Sequence, residues 1–145
     1  MDRSPKLIPE FRVQDYNKSI DFYISLAGFT IVYDRPEEEF AMLDREGARI
    51  MIESISPHTR SWEVGELEPP FGRGVNFQIE VADVESLYAS FKDNAYPIFF
   101  EMEEKWYRRG EGEVGNRQFL VQDPDGYLLR FFEDLGSRPR RRDLE

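Results

Sequence analysis

The chain contains the stretch FRVQDYNKSIDFY at residues 11–23 and a related stretch, FQIEVADVESLY, at residues 77–88. Each begins with alternating apolar residues, which is typical of a β-strand, and continues with an aspartate, Asp15 or Asp83, that can cap the start of an amphipathic helix. Each half later contains a four-residue turn ending in glycine, Gly47 or Gly126, before an apolar strand. These patterns predict two copies of one βαβββ module.

The order of the predicted elements indicates an α+β fold in a single domain over residues 1–136. Module one is predicted over residues 7–55 and module two over residues 75–135. The segment between them, residues 56–74, is rich in proline and glycine and is interpreted as a connector. Residues 137–145 are polar and arginine-rich, and they are predicted to form a flexible tail.

The composition limits the possible partners. A chain of 145 residues with 40% hydrophobic residues can bury one ordinary core, and its formal net charge of -10 argues against nucleic acid and anionic membranes as partners. The same charge would suit a cationic ligand, or it serves solubility alone. The absence of cysteine excludes disulfides and thiolate chemistry. Because no apolar run is long enough to span a membrane and residues 1–10 lack a signal-peptide core, we expect a cytoplasmic protein.

The second copy is about 11 residues longer than the first between its helix and its last turn. The additional residues must lie within residues 101–115, where five glutamates surround Trp106 and Tyr107. A long, glycine-containing segment with aromatic residues is typical of a loop that covers a binding site, although a solvated hairpin tip is the simpler alternative. We predict a covering loop here.

Residues 12–23 with Gly28 and Phe29, followed by FLVQDPDGY at residues 119–127, resemble the vicinal-oxygen-chelate superfamily. This superfamily includes glyoxalase I, extradiol dioxygenases, fosfomycin-resistance enzymes and bleomycin-resistance proteins. The resemblance covers residues 7–135. It implies that the two modules form curved mixed sheets around a cleft, which a homodimer usually completes.

The resemblance also identifies four inward-facing positions that hold metal ligands in the metal-dependent members. In this chain they fall at Ile8, Met51, Asn76 and Arg130. None is a good ligand for a divalent ion, and the guanidinium of Arg130 would repel one. A register shift of two would place Glu53 at the position of Met51, and one carboxylate holds a metal poorly. The single histidine, His58, falls in the connector and is expected to be exposed, so we predict no metal and no cofactor.

Among these families, the bleomycin-resistance proteins resemble the chain best. The resemblance rests on Pro9 in the N-terminal arm, on the acidic charge, and on the acidic segment around Trp106 that precedes Arg117-Gln-Phe119. It implies a metal-free protein that sequesters a cationic, antibiotic-like small molecule as a homodimer with arm exchange around Pro9. The alternatives are a metal-dependent lyase or dioxygenase of the same superfamily, and a protein-binding module that keeps only the fold.

The predicted ligand-binding site combines aromatic walls with an acidic rim and contains no catalytic residue. The aromatic candidates could instead belong to the core, most clearly Phe40 in a strand. Asn76 and Arg130 are expected to point into the cleft. The predicted ligand-binding residues are Phe40, Trp62, Asn76, Glu101, Glu103, Trp106, Tyr107 and Arg130, with Glu104 also at the rim.

Overall fold

The structure, a computed structural model, describes residues 4–55 and 62–140, so that His58 and part of the predicted connector lie outside the described residues. It confirms an α+β fold with two four-stranded sheets and few helices. The chain divides into two compact units. The first contains Met1–Asn76 and Gln122–Leu128, and the second contains Phe77–Val121 and Leu129–Glu145. No helix within the described part of the chain is long and apolar enough to cross a membrane.

The sheet of the first unit has the strand order β1-β4-β3-β2, with β1 parallel to β4 and the other neighbours antiparallel. Helix α1 continues directly into a π-helical segment, and a short 3₁₀ turn over Pro36–Glu38 separates β2 from β3. The elements are β1 (Glu10–Val13), α1 (Tyr16–Ile20), the π-helical segment (Asp21–Leu26), β2 (Thr30–Arg35), β3 (Phe40–Arg45) and β4 (Ala48–Ser54).

Proline determines where the first strand begins. The sequence predicts a strand over residues 7–13, whereas β1 starts at Glu10. Pro9 has no backbone N–H to donate, and it contributes only its carbonyl, which accepts a hydrogen bond from the Met51 N–H at 2.9 Å. The predicted edge position is confirmed, because β1 is the outermost strand on its side of the sheet.

The sequence located both helix starts correctly. The Asp15 carboxylate accepts a hydrogen bond from the Lys18 N–H, and the Asp83 carboxylate accepts one from the Ser86 N–H, each at 3.1 Å. These aspartates satisfy backbone donors that have no partner within the helix. Gly28 follows the first helical segment with φ +80°, a conformation that glycine adopts without steric cost.

The second unit repeats this plan with longer strands in the order β5-β8-β7-β6. Leu87 and Phe91 of its helix are buried, and the Phe91 ring lies 5.7 Å from Phe119 and 6.2 Å from Phe131. This aromatic cluster joins the helix to one face of the sheet and leaves the other face available. The elements are β5 (Asn76–Glu80), α2 (Val84–Asp93), β6 (Phe100–Arg109), β7 (Gly112–Gln122) and β8 (Leu128–Pro139).

The expectation of a covering loop at residues 101–115 is wrong, because this segment forms most of a β-hairpin made of β6 and β7. Arg109 pairs with Gly112 across a two-residue turn in which Gly110 has φ +61°. Both faces of the hairpin carry charged residues, so the apolar alternation that would have indicated strands is missing from the sequence. The boundary of the predicted tail is also displaced, since β8 continues to Pro139.

The turn from Asp123 to Gly126 belongs to the first unit, although the repeat pattern places it in module two. Asp123 and Asp125 are both 3% exposed. The Tyr23 hydroxyl donates to Asp123 Oδ2 at 2.7 Å, and the Gln14 backbone N–H donates to Asp125 Oδ1 at 2.9 Å. Through these side-chain hydrogen bonds, the two aspartates of the turn connect it to the π-helical segment and to the residue that follows β1.

Candidate ligand-binding site

A pocket of about 510 Å³ lies against the second sheet, and all of its lining residues belong to the second unit. Its volume is in the range of small-molecule sites. Because side chains alternate between the two faces of a strand, the lining residues of β5 and of β8 lie two residues apart along each strand. The lining residues are Gln78, Glu80, Tyr107, Arg109, Val114, Asn116, Arg130, Phe132 and Asp134.

The apolar part of the pocket comes from Phe132 and Val114. Phe132 is 9% exposed, so that it forms a closed surface between the sheet and the pocket. Tyr107 pairs with Val114 across the β6–β7 hairpin and brings an aromatic ring to the same face. An apolar surface with a few polar groups around it is the usual composition of a ligand site.

Arg130 supplies a positive charge that no described carboxylate neutralises through an ion pair. Its Nη2 donates to the Gln78 Oε1 at 2.5 Å, and its Nε is buried without a hydrogen-bond partner among the described residues. Gln78 therefore fixes the orientation of the guanidinium from the neighbouring strand. A half-buried guanidinium with unused N–H donors can donate hydrogen bonds to an acceptor group of a ligand.

Tyr107 is oriented by a second hydrogen-bond network. The Gln118 Nε2 donates to the Tyr107 hydroxyl oxygen at 2.6 Å and to Glu103 Oε2 at 2.8 Å. Since the tyrosine oxygen accepts from Gln118, its own proton remains available for donation into the pocket. Gln118 itself is 3% exposed, and its Oε1 has no partner among the described residues.

Two carboxylates and one further guanidinium lie in the outer part of the pocket. Glu80, Asp134 and Arg109 are all exposed, and none of them forms an ion pair with another described residue. Asp134 Oδ1 accepts from the Gly136 N–H at 2.8 Å, which leaves its second oxygen available. The pocket therefore offers groups of both charges to a ligand.

The structure brings Tyr107 and Arg130 into one pocket and connects Glu103 to Tyr107 through Gln118. Trp106 does not line this pocket, because the alternation along β6 directs its side chain to the opposite face. There the Arg138 guanidinium lies 3.9 Å from the Trp106 ring centroid, and the indole N–H donates to Glu104 at 3.1 Å. Glu101 accepts a hydrogen bond from the Tyr88 hydroxyl and forms an ion pair with Lys92 on helix α2.

The other predicted site residues lie outside the pocket. Phe40 belongs to the first unit, is 3% exposed, and lies under the Arg35 guanidinium at 4.1 Å, as expected for a packed residue. Trp62 is 72% exposed, and Asn76 is exposed at the start of β5. None of these three side chains lines the pocket of the second sheet.

The sequence analysis missed most of the pocket lining. Gln78 and Glu80 lie two and four residues after Asn76, and Phe132 and Asp134 lie two and four residues after Arg130. A strict period of two from the positions already identified would have found all four. The β7 residues Val114 and Asn116 could not be found in this way, because no strand was predicted before Arg117 in this part of the chain.

The residues present do not fit a metal centre. Arg130, at one of the four positions that the resemblance implies for metal ligands, is hydrogen-bonded to Gln78, and Met51 and Ile8 at two of the others offer no hard donor. In the part of the chain that the structure describes, no three His, Cys, Asp or Glu side chains form a group that could hold a metal ion.

Comparisons with known proteins identify the family. The model of the Glyoxalase/Bleomycin resistance protein/Dioxygenase superfamily matches residues 9–131. Bleomycin resistance proteins from Geobacillus stearothermophilus and Staphylococcus aureus are 29% identical over 140 residues, which cover 90% of this chain and 97% of each relative. The crystal structure of TioX from Micromonospora sp. ML1 is 22% identical, covers 91% of this chain and all of TioX, and has a TM-score of 0.68, which shows a common fold. This chain belongs to the glyoxalase/bleomycin resistance protein/dioxygenase superfamily.

Proposed function

We propose that the protein binds and sequesters a cationic, antibiotic-like small molecule of the bleomycin type without altering it and without a metal. The observation that carries this proposal is the pocket of about 510 Å³ on the second sheet, which combines an apolar surface with oriented polar groups. The likeness to bleomycin resistance proteins over nearly the whole chain supports the same ligand class. Tyr107 and Arg130, both predicted from the sequence, are the proposed contacts that line this pocket.

The cationic character of the ligand is proposed from the carboxylates in the pocket. Glu80 and Asp134 are not paired with a described cation, whereas Glu101, Glu104 and Glu113 are. Most of the acidic hairpin is therefore neutralised by the protein's own arginines and lysines. Within the pocket, Glu80 and Asp134 are the carboxylates that can contact a cationic group of a ligand, and the net charge of -10 adds a long-range attraction.

The alternative of a metal-dependent lyase or dioxygenase has less support from the residues. A Lewis-acid mechanism needs a bound metal, and the four family positions carry poor donors in this chain. We therefore propose that sequestration does not depend on a metal. A homodimer with exchange of the arm around Pro9 is part of the same proposal, since β1 is an edge strand that can pair with a partner's sheet as well as with its own.

Isothermal titration with bleomycin tests this function. We expect saturable binding that weakens as salt rises, because exposed charges are screened beyond about 8 Å at physiological ionic strength. Glu80→Gln should weaken binding by roughly threefold to tenfold. Glu104→Gln is the matched control, because it makes the same change of charge on the opposite face of the same sheet.

Treatment with a chelator should leave bleomycin binding unchanged. A loss of binding after removal of divalent metal, with recovery on its return, would contradict the metal-free proposal. No binding at millimolar bleomycin would contradict sequestration of this drug class and would favour the third possibility, a protein-binding module.

A further inference from the structure

We propose that Arg130 and Tyr107 form a subsite for a carboxylate group, so that among cationic small molecules the pocket binds those that also carry a carboxylate more tightly. This inference rests on the proposed function, because it concerns the same pocket, and it adds a preference among the ligands of that pocket. Nothing in the likeness to bleomycin resistance proteins supplies this preference. It follows from the charges and hydrogen bonds of the second unit.

Arg130 is incompletely paired. A guanidinium carries five N–H donors, and with the described residues it forms a single hydrogen bond, from Nη2 to Gln78. Partial burial makes an uncompensated cation costly, and the cost is removed when an anion binds. The planar fork of the guanidinium matches the two oxygens of a carboxylate.

The hydrogen bonds around Tyr107 leave its proton available to a ligand. Gln118 donates to the tyrosine oxygen at 2.6 Å and thereby occupies its acceptor side. The hydroxyl proton is then free to donate to an oxygen atom in the pocket. Asn116 lines the same surface and has an amide group that can donate as well. The inner part of the pocket thus presents donors.

The charge of the surroundings indicates a carboxylate in preference to a phosphate. Glu80 and Asp134 line the same pocket and would repel a dianion. A monoanion can be neutralised by Arg130 alone, while the carboxylates of Glu80 and Asp134 receive an amine at the other end of the ligand. Arg109 is exposed at the end of the hairpin and adds positive charge there.

Two small aromatic probes distinguish the contribution of the carboxylate to binding from that of the amine. 4-(Aminomethyl)benzoate carries the amine and the carboxylate, and 4-(aminomethyl)benzamide keeps the amine and the shape but replaces the carboxylate with a neutral amide. Dissociation constants are measured by ¹⁵N-resolved NMR titration of the full-length chain. We expect the benzoate to bind about tenfold more tightly, which corresponds to one charge-assisted contact.

Variants of Arg130 test whether the preference for the benzoate depends on this side chain. Arg130→Gln should abolish the preference for the benzoate and leave binding of the benzamide within about twofold to threefold of the wild type. Arg130→Lys keeps the charge but lacks the fork, and it should keep a reduced preference. Arg138→Gln is the matched control, since Arg138 lies on the same strand but contacts Trp106 and Glu113. It should keep the full preference.

Several results would overturn the subsite. Equal binding of both probes to the wild type would do so, as would a preference that survives in Arg130→Gln or no binding of either probe. Bleomycin binding without a preference between the probes would remove the subsite and leave the proposed function intact. A clear preference without bleomycin binding would instead remove the drug class and leave the carboxylate subsite.

Discussion

Burial raises the pKa of Asp123 by more than its three hydrogen bonds lower it. The carboxylate accepts from the Tyr23 hydroxyl at 2.7 Å and from the backbone N–H groups of Asp125 and Tyr127 at 2.9 Å each. These bonds favour the charged form, yet desolvation is stronger and raises the pKa of Asp123 to about 6. Between about pH 4 and pH 6, the Asp123 carboxyl is therefore mostly protonated in the folded chain and mostly ionised in the unfolded chain.

This difference predicts a pH-dependent contribution to stability. The contribution is fully present below the unfolded pKa, near 4, and it is lost as the pH rises through about 6. We expect Asp123→Asn, which cannot ionise, to gain about 3 kcal/mol relative to the wild type between pH 4 and pH 7. Urea denaturation at pH 4, 5, 6 and 7 measures this gain.

Asp21→Asn serves as the control for Asp123→Asn, because Asp21 is exposed on the π-helical segment. Its stability relative to the wild type should change little over the same range. A parallel pH dependence of wild type and Asp123→Asn would show that another group holds the proton.

The two faces of the β6–β7 hairpin have different surroundings. Tyr107 faces the pocket, while Trp106 lies opposite Gly115, where a Cβ atom would come within 2.7 Å of the indole ring. The missing side chain of Gly115 makes room for the indole, and Arg138 covers it. The glycine that suggested a broken loop in the sequence is therefore part of the packing of a regular strand.

Trp106→Ala should lower the free energy of unfolding and leave ligand binding unchanged. Loss of the half-buried indole and of its contact with Arg138 should cost about 1–3 kcal/mol. Thermal denaturation and bleomycin titration measure the two effects. Trp62→Ala is the comparison, because Trp62 is 72% exposed and its replacement should change stability by less than about 0.5 kcal/mol. A large loss of affinity in Trp106→Ala at unchanged stability would assign the indole to ligand contact.

At the scale of the whole molecule, the proposed dimer depends on the strand at the edge of the first sheet. β1 pairs with β4 in parallel, with Glu10 opposite Met51, and among the described strands β1 has no second neighbour in the sheet. The strand contains four residues, and Pro9 before it has no backbone N–H to donate. A short strand of this kind can leave its own sheet and occupy the same place in a partner at little cost.

Because the chain contains no cysteine, a single introduced pair can detect the exchange. Residues opposite each other in neighbouring strands are close enough for a disulfide. In Glu10→Cys with Met51→Cys, an exchanged arm should give a disulfide-linked dimer on non-reducing gels, and the wild type should sediment as a dimer at micromolar concentration. A disulfide-linked monomer would show that β1 stays in its own subunit. Each single-cysteine variant is the control for non-specific cross-linking.

The sequence by itself determined the repeat, the two helix starts and the identity of the family. Asp15 and Asp83 cap helices through bonds within one turn of the chain, and the strand alternation of residues 77–81 is likewise local. Pro9 predicted an edge strand because proline has no backbone N–H, and this property does not depend on the residues around it. Arg130 was predicted from the family pattern, and Tyr107 was predicted as an aromatic residue of a segment that was interpreted as a loop.

The tertiary structure decided which face of each strand meets which neighbour. Trp106 and Tyr107 are adjacent in the sequence, yet only Tyr107 lines the pocket, because the register of β6 on β7 assigns them to opposite faces. Pairing with Arg138, Arg117 and Lys92 removes most of the apparent acidity of the hairpin. These contacts join residues far apart in the chain, and local pattern carries no information about them. Burial of Asp123 has the same origin, since its environment is built by Tyr23, one hundred residues away.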